Sequence, residues 1–331
     1  MNNQNTELQN VYYNRIMSEK FEKLIMEKYE WLIGFVKKHR ELDFQTGFDQ
    51  KQNKSWFSVY RGTSRILRIT HFEKSGMVTI DAAKSYMKLD SYPKQLNEKN
   101  LEAYLKEINE NPNYGKYYID SKGERKEGYY QTLISRRYTF ENTIDDDFII
   151  FDKELVLGFI DEDIKKEWNK DILKIQKDHI NEFRKASKDR LPKDIKAEFG
   201  EIDFMGLTWD GVLIIIELKK DIGNGLSPIQ TEYYKLEFSK LFIEHGEEQL
   251  FDVIKAMIFQ KKKMGLIKKM PRAKALPGLI TGVRSYIIIG NDEKGSETIK
   301  KRFALANELF GGNAVYTCAS DGTLIPCDKF E

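Results

Sequence analysis

Apolar residues recur every three or four positions from Met17 to His39, at Phe21, Leu24, Ile25, Tyr29, Leu32 and Phe35, and this spacing predicts one helix. The period then shortens to two. Residues 56–80 and 129–140 alternate and are rich in β-branched and aromatic side chains, so both stretches predict strands, with a short helix over Leu96–Ile108 between them. A second helical period, Ile164, Trp168, Ile172, Ile175, His179 and Phe183, predicts a long amphipathic helix over Glu162–Lys185. Glu198–Phe204 alternates again, Asp210-Gly211 signals a tight turn, and the unbroken run Val212–Ile216 reads as a strand buried on both faces. Helices over Ser227–Phe242, Glu247–Met264 and Glu297–Phe310, with strands at Arg284–Ile289 and Ala314–Cys318, complete the pattern. The expected class is α/β (α+β overall): a mixed central sheet flanked by helices in the C-terminal half, preceded by a separate α+β domain. The acidic run Asp145-Asp146-Asp147 marks the expected boundary, giving domains 1–147 and 148–331.

At 331 residues the chain is long enough for two such domains, and with 20 Phe, 17 Tyr and 4 Trp it is far too aromatic for disorder. Its longest apolar run falls short of the roughly 20 residues that cross a bilayer, and its first residues are polar. No membrane partner is expected, and a cytoplasmic location is. Cys318 and Cys327, both near the end, are expected as reduced thiols, and four histidines make a His-rich zinc site a poor expectation. The net charge is +2, yet Lys255–Asn291 holds nine Lys or Arg and no Asp or Glu, so the rest of the chain is net acidic. Such a stretch attracts phosphate polymers, and it is also what a solvated helix face looks like.

Chemistry concentrates where the buried strand ends. Ile214-Ile215-Ile216 runs into Glu217-Leu218-Lys219, and an ionised carboxylate beside so much aliphatic surface is costly unless a cation or metal compensates it. Glu217 and Lys219 share a strand face, and Asp203 lies fourteen residues before Glu217, a hairpin-sized spacing. A hard-oxygen set of this kind suits Mg²⁺, with coordination positions left for water and a phosphate oxygen. Register imposes a condition. A regular two-residue Asp210-Gly211 turn would place Asp203 opposite Leu218 and on the wrong face, so a one-residue shift is predicted, through a bulge near Gly206 or a loop of odd length.

Residues 160–320 resemble the PD-(D/E)XK nuclease superfamily, whose core is a helix, a three-stranded meander, a helix and a further strand. Asp203 matches its first motif residue, and Glu217 and Lys219 match the tripeptide; Ile202 stands where the signature has proline. The tripeptide pattern recurs at Asp49, Asp120, Glu124, Asp163, Asp194 and Asp292, none of which follows a buried-strand run. The resemblance implies a Mg²⁺-dependent nuclease (Mn²⁺ can substitute) hydrolysing DNA. Asp203 and Glu217 would hold the metal, and Lys219 would orient or deprotonate water or offset transition-state charge. It further implies a metal-site glutamate from the first core helix, for which Glu182 is the leading candidate ahead of Asp178 and Glu201. Gln230 and Tyr234 resemble the Q-x-x-x-Y element that contacts the nucleic-acid strand.

Each of these has a plainer reading. Ser227 as N-cap with Pro228 and Gln230 would form a capping box, Tyr234 could be ordinary core, and His179 a satisfied core histidine. Lys261, Lys262, Lys263, Lys268, Lys269 and Arg272 are the candidate phosphate-backbone clamp. Arg61, Arg65, Arg68, Arg136 and Arg137, beside Trp56, Tyr60 and Tyr138, could form a nucleic-acid platform or simply solvate a sheet face. The N-terminal domain would select substrate, form a homodimer or regulate. The alternative to an enzyme is a non-catalytic nucleic-acid- or protein-binding module that keeps the fold.

Overall fold

The computed structural model describes residues 10–115, 117–143, 145–187, 200–223, 225–268, 281–290, 296–310 and 312–327. The chain opens with a short strand β1 (Val11–Tyr12) and two helices, α1 (Glu19–Lys28) and α2 (Glu30–Lys38). These replace the single helix expected over Met17–His39: the break falls at Tyr29, whose φ of −124° is not helical. Ser18 caps α1, its Oγ accepting from the Phe21 amide at 3.2 Å.

Four antiparallel strands follow in sheet order, β2 (Leu42–Asp49), β3 (Lys54–Arg61), β4 (Ser64–Phe72) and β5 (Val78–Asp81). Their alternation sends Phe44, Phe57, Val59, Leu67 and Ile69 into a core shared with α1, α2 and α3 (Glu98–Glu110). A single turn, α4 (Pro112–Gly115), leads on to α5 (Glu127–Tyr138).

α5 corrects the strand expected over residues 129–140. Tyr130, Gln131, Thr132, Ile134, Ser135, Arg136 and Tyr138 are all buried, so the helix has no polar stripe to reveal a 3.6-residue period. Arg136 ties it to the N-terminal layer by donating to the carbonyls of Val36, His39, Leu42 and Lys37 at 2.9–3.0 Å, which caps the end of α2.

The second sheet has the order β12 (Leu324–Pro326), β11 (Ala314–Cys318), β10 (Gly282–Ile289), β9 (Val212–Lys219), β8 (Ile202–Thr208), β6 (Phe148–Leu155). β9, β10 and β11 run parallel, while β6, β8 and β12 pair antiparallel to their neighbours. It is the expected mixed sheet flanked by helices. One detail differs from expectation: the third strand of the meander is β6, which precedes the long helix α6 (Glu162–Ala186) instead of following it. A short β7 (Gly158–Phe159) between them pairs with β1.

Helices cover both faces, as a continuous apolar strand requires. Leu213 and Ile215 pack toward α6, α7 (Ser227–His245) and α8 (Glu247–Lys263), whereas Ile214, Ile216 and Leu218 pack against Tyr130 and Ile134 of α5. α9 (Glu297–Leu309) adds Phe303 against Ile287 and Ile289. Asp146, inside the expected boundary stretch, is buried and paired with Arg137 at 2.5 Å, and its carbonyl accepts from the Trp209 indole at 2.5 Å. Cys318 and Cys327 are unpaired thiols. No helix among the described residues is long and apolar enough to cross a membrane.

Candidate active site

The β8–β9 hairpin decides whether the motif residues meet. Leu207 pairs with Leu213 and Phe204 with Ile216, so the turn consists of Trp209, Asp210 and Gly211, an odd-length loop of the kind the register argument demands. Gly211 takes φ +90° there, a conformation that favours glycine. Thr208 fixes the turn through its Oγ1, which accepts from the Val212 amide at 2.8 Å and donates to Asp210 Oδ1 at 2.5 Å. Extending the register by one residue sets Asp203 opposite Glu217.

Side-chain geometry follows. Glu217 continues the face of Leu213 and Ile215, and Lys219, two further on, pairs with Glu217 Oε1. Asp203 Oδ2 accepts from the Leu218 amide at 2.7 Å. Glu217 is only 1% exposed, and its second oxygen, Oε2, has no hydrogen-bond donor. A buried carboxylate oxygen without a partner is a lone pair prepared for something absent from the polypeptide.

Electrostatics agree with that reading. Burial pushes the Glu217 carboxyl up to about 7, with the Lys219 ammonium pulling in the opposite direction. Asp203 is raised well above the usual carboxylate range, by burial first and then by Glu217. Burial works against the Lys219 ammonium, but Glu217 and Asp203 outweigh it and leave its affinity for a proton raised. Two carboxylates that share a dry site cannot both ionise cheaply, and a divalent cation would relieve both.

A third carboxylate reaches this field. Glu127, in the first turn of α5, raises the proton affinity of Asp203, Glu217 and Lys219. Sequence reasoning missed it because α5 read as a strand. Glu182 stands elsewhere: it is exposed on α6, as is Asp178, and Glu201 is exposed just before β8. Among the described residues no third His, Cys, Asp or Glu closes the pair into a group of three ligands. Mg²⁺ needs no such group, since one or two carboxylates with water and substrate phosphate suffice. The oxygen-only pair and the unpartnered Oε2 therefore fit a hard divalent ion.

Gln230 and Tyr234 lie beside the pair. The capping box does not form: α7 has Leu226 at the N-cap with no side-chain bond, and Ser227 Oγ is buried without a partner. Gln230 instead donates to Tyr234 Oη at 2.9 Å, and that hydroxyl donates to the Glu201 carbonyl at 3.1 Å. Tyr234 is fully buried among core residues, its phenol raised by burial and then by Glu217. Gly200 makes room for both, since a β-carbon there would strike the Tyr234 hydroxyl and lie 3.3 Å from Gln230 Nε2. His179 pairs with Glu232 at 2.5 Å, as a satisfied histidine does.

The basic segment is only partly a surface. Lys261 is buried, donates to the Phe151 carbonyl and lies 3.8 Å from Asp152, so it cannot grip a phosphate backbone. Lys262, Lys263 and Lys268 are exposed, with Lys263 paired to Glu22. Lys269 and Arg272 lie outside the described residues. Of the N-terminal arginines, Arg61 and Arg136 are buried structural groups, Arg137 holds Asp146, and Arg65 pairs with Asp81 at 3.1 Å. Arg68 lies 4.6 Å over the Trp56 ring and donates to Ser58 Oγ at 2.7 Å.

Comparison with protein-family models, with curated proteins and with solved structures finds no match to this chain.

Proposed function

We propose that the chain is a Mg²⁺-dependent nuclease of the PD-(D/E)XK type that hydrolyses DNA phosphodiester bonds. The observation that carries this reading is the position of Asp203 opposite Glu217, with Lys219 on the same face and Glu217 Oε2 unpartnered. Asp203 and Glu217 are the residues that would hold the metal, which supplies Lewis-acid polarisation of the phosphodiester and a more acidic attacking water. The Leu218 amide donates to Asp203 Oδ2 and holds that carboxylate beside Glu217. Lys219, paired with Glu217, would act as a cation that stabilises charge developing on the phosphate. The odd-length turn and the packing of α7 hold these groups in place before substrate arrives.

Calorimetric titration with Mn²⁺ or Mg²⁺ tests the metal-holding step directly. One site is expected in the wild-type protein and none in Asp203→Ala or Glu217→Ala. Absence of binding by the wild type, with substrate analogue present or not, would remove the metal from the reading.

A further inference from the structure

Beside the carboxylates lies a cleft that the proposed reaction does not use. It encloses about 250 Å³, too little for a drug-sized ligand and enough for one planar ring system. Its walls come from the β6–β7 connection, from α6 and α7, and from Gly200 and Glu201 just before β8.

The floor is polar and dry. Tyr233 is 2% exposed, Asn169 5% and Glu237 8%. The Tyr233 hydroxyl donates to Asn169 Oδ1 at 2.6 Å and lies 3.4 Å from Glu237 Oε1. With Oδ1 so engaged, what Asn169 has left for a ligand is its amide nitrogen. Burial pushes the Glu237 carboxyl up to about 7, so near neutral pH it can donate or accept a hydrogen bond. Three such groups clustered beneath helix packing are costly to bury for stability alone.

Position gives the cleft a substrate. Asp203 follows Glu201 by two residues on one face of the chain, about 7 Å along a strand. Phe159, packed edge-on against Trp168, also lines the cleft, and Lys165 adds positive charge that lowers the proton affinity of Glu237.

We infer that this cleft receives one unpaired nucleobase of the strand whose phosphodiester lies at Asp203 and Glu217, an inference that rests on the nuclease reading. A carboxyl and an amide joined through the Tyr233 hydroxyl supply the acceptor and donor types that read the edge of a base, and Phe159 adds apolar lining. The nucleic acid is therefore engaged as a single strand, or with one nucleotide turned out of the duplex.

An abasic scan tests it. An end-labelled single-stranded oligonucleotide carries one abasic nucleotide at successive positions, and each version is cleaved in Mg²⁺ by the full-length protein. One position at a fixed distance from the cut should slow wild-type cleavage at least tenfold, and that effect should vanish in Asn169→Ala and Glu237→Gln. Should either variant melt well below wild type, Tyr233→Phe replaces it, because it removes only the hydroxyl that orients Asn169. The same oligonucleotides are scored for binding to Asp203→Ala by fluorescence anisotropy, which needs no cleavage. A flat scan with active wild type overturns the cleft alone. Absent cleavage with a position-dependent binding loss, abolished by Asn169→Ala, overturns the nuclease and keeps the base site; absence of both overturns both.

Discussion

Asp203 faces Glu217 because the turn joining their strands holds Trp209, Asp210 and Gly211 and not two residues alone. Deleting Leu207 within β8 would slide the strand by one, set Asp203 against Ile216 and turn Met205 away from the core it shares with Leu213 and Ile215. The deletion is expected to abolish Mn²⁺ binding and lower the melting temperature together. Retained binding would show that metal holding does not depend on this register.

The carboxylates should make stability depend on pH and metal. In the folded, metal-free protein Glu217 is pushed up to about 7 and Asp203 is raised, both by burial first. A folded state that holds protons more tightly than the unfolded chain gains most below the ordinary carboxylate range and loses that gain as pH rises through about 7. Glu217→Gln removes the loss, so without metal at pH 8 the variant should be more stable by about 1–3 kcal/mol, with little difference near pH 4. Saturating Mg²⁺ should reverse the order at pH 8, because only the wild type keeps both ligands. Urea midpoints at the two pH values, with and without Mg²⁺, check this.

Gly128 fits α5 between two layers. A β-carbon there would collide with the Tyr117 carbonyl and lie 2.8 Å from the Thr63 amide nitrogen, both backbone atoms that cannot swing aside. Gly128→Ala is expected to cost on the order of 2 kcal/mol. Because Glu127 is its neighbour, divalent-ion affinity should fall with it. Unchanged denaturation and unchanged affinity would contradict the tight docking.

Lys261 separates a structural lysine from a phosphate-binding one. Buried against the Phe151 carbonyl and Asp152, it should cost about 3 kcal/mol when replaced by alanine. The exposed Lys262 should cost under about 0.5 kcal/mol when replaced likewise. Any loss of DNA affinity in Lys262→Ala should shrink at high salt, whereas Lys261→Ala should show its defect in thermal unfolding.

Much of the C-terminal half was legible in the chain because its elements are amphipathic or continuously apolar. β9 announced itself through Val212–Ile216, and the register condition on Asp203 followed from period-two arithmetic alone. α5 was not legible: buried on most sides, it lacks the polar stripe that a helical period needs, and its tyrosines and threonine carry strand propensity. Glu127 was lost with it. Glu182 was favoured because α6 has an unmistakable stripe, but the face on which it sits points to solvent. Lys261 looked like its neighbours because charge counts do not distinguish an ammonium inside a helix packing face from one outside it.

Cleavage of plasmid and oligonucleotide DNA in Mg²⁺ or Mn²⁺, by wild type beside Asp203→Ala, Glu217→Ala and Lys219→Ala, tests the central claim most directly. The arrangement predicts metal-dependent cutting by the wild type and a loss of about a hundredfold or more in each variant, at unchanged DNA binding. Equal cutting by all four proteins, or none by the wild type with either metal, would contradict it.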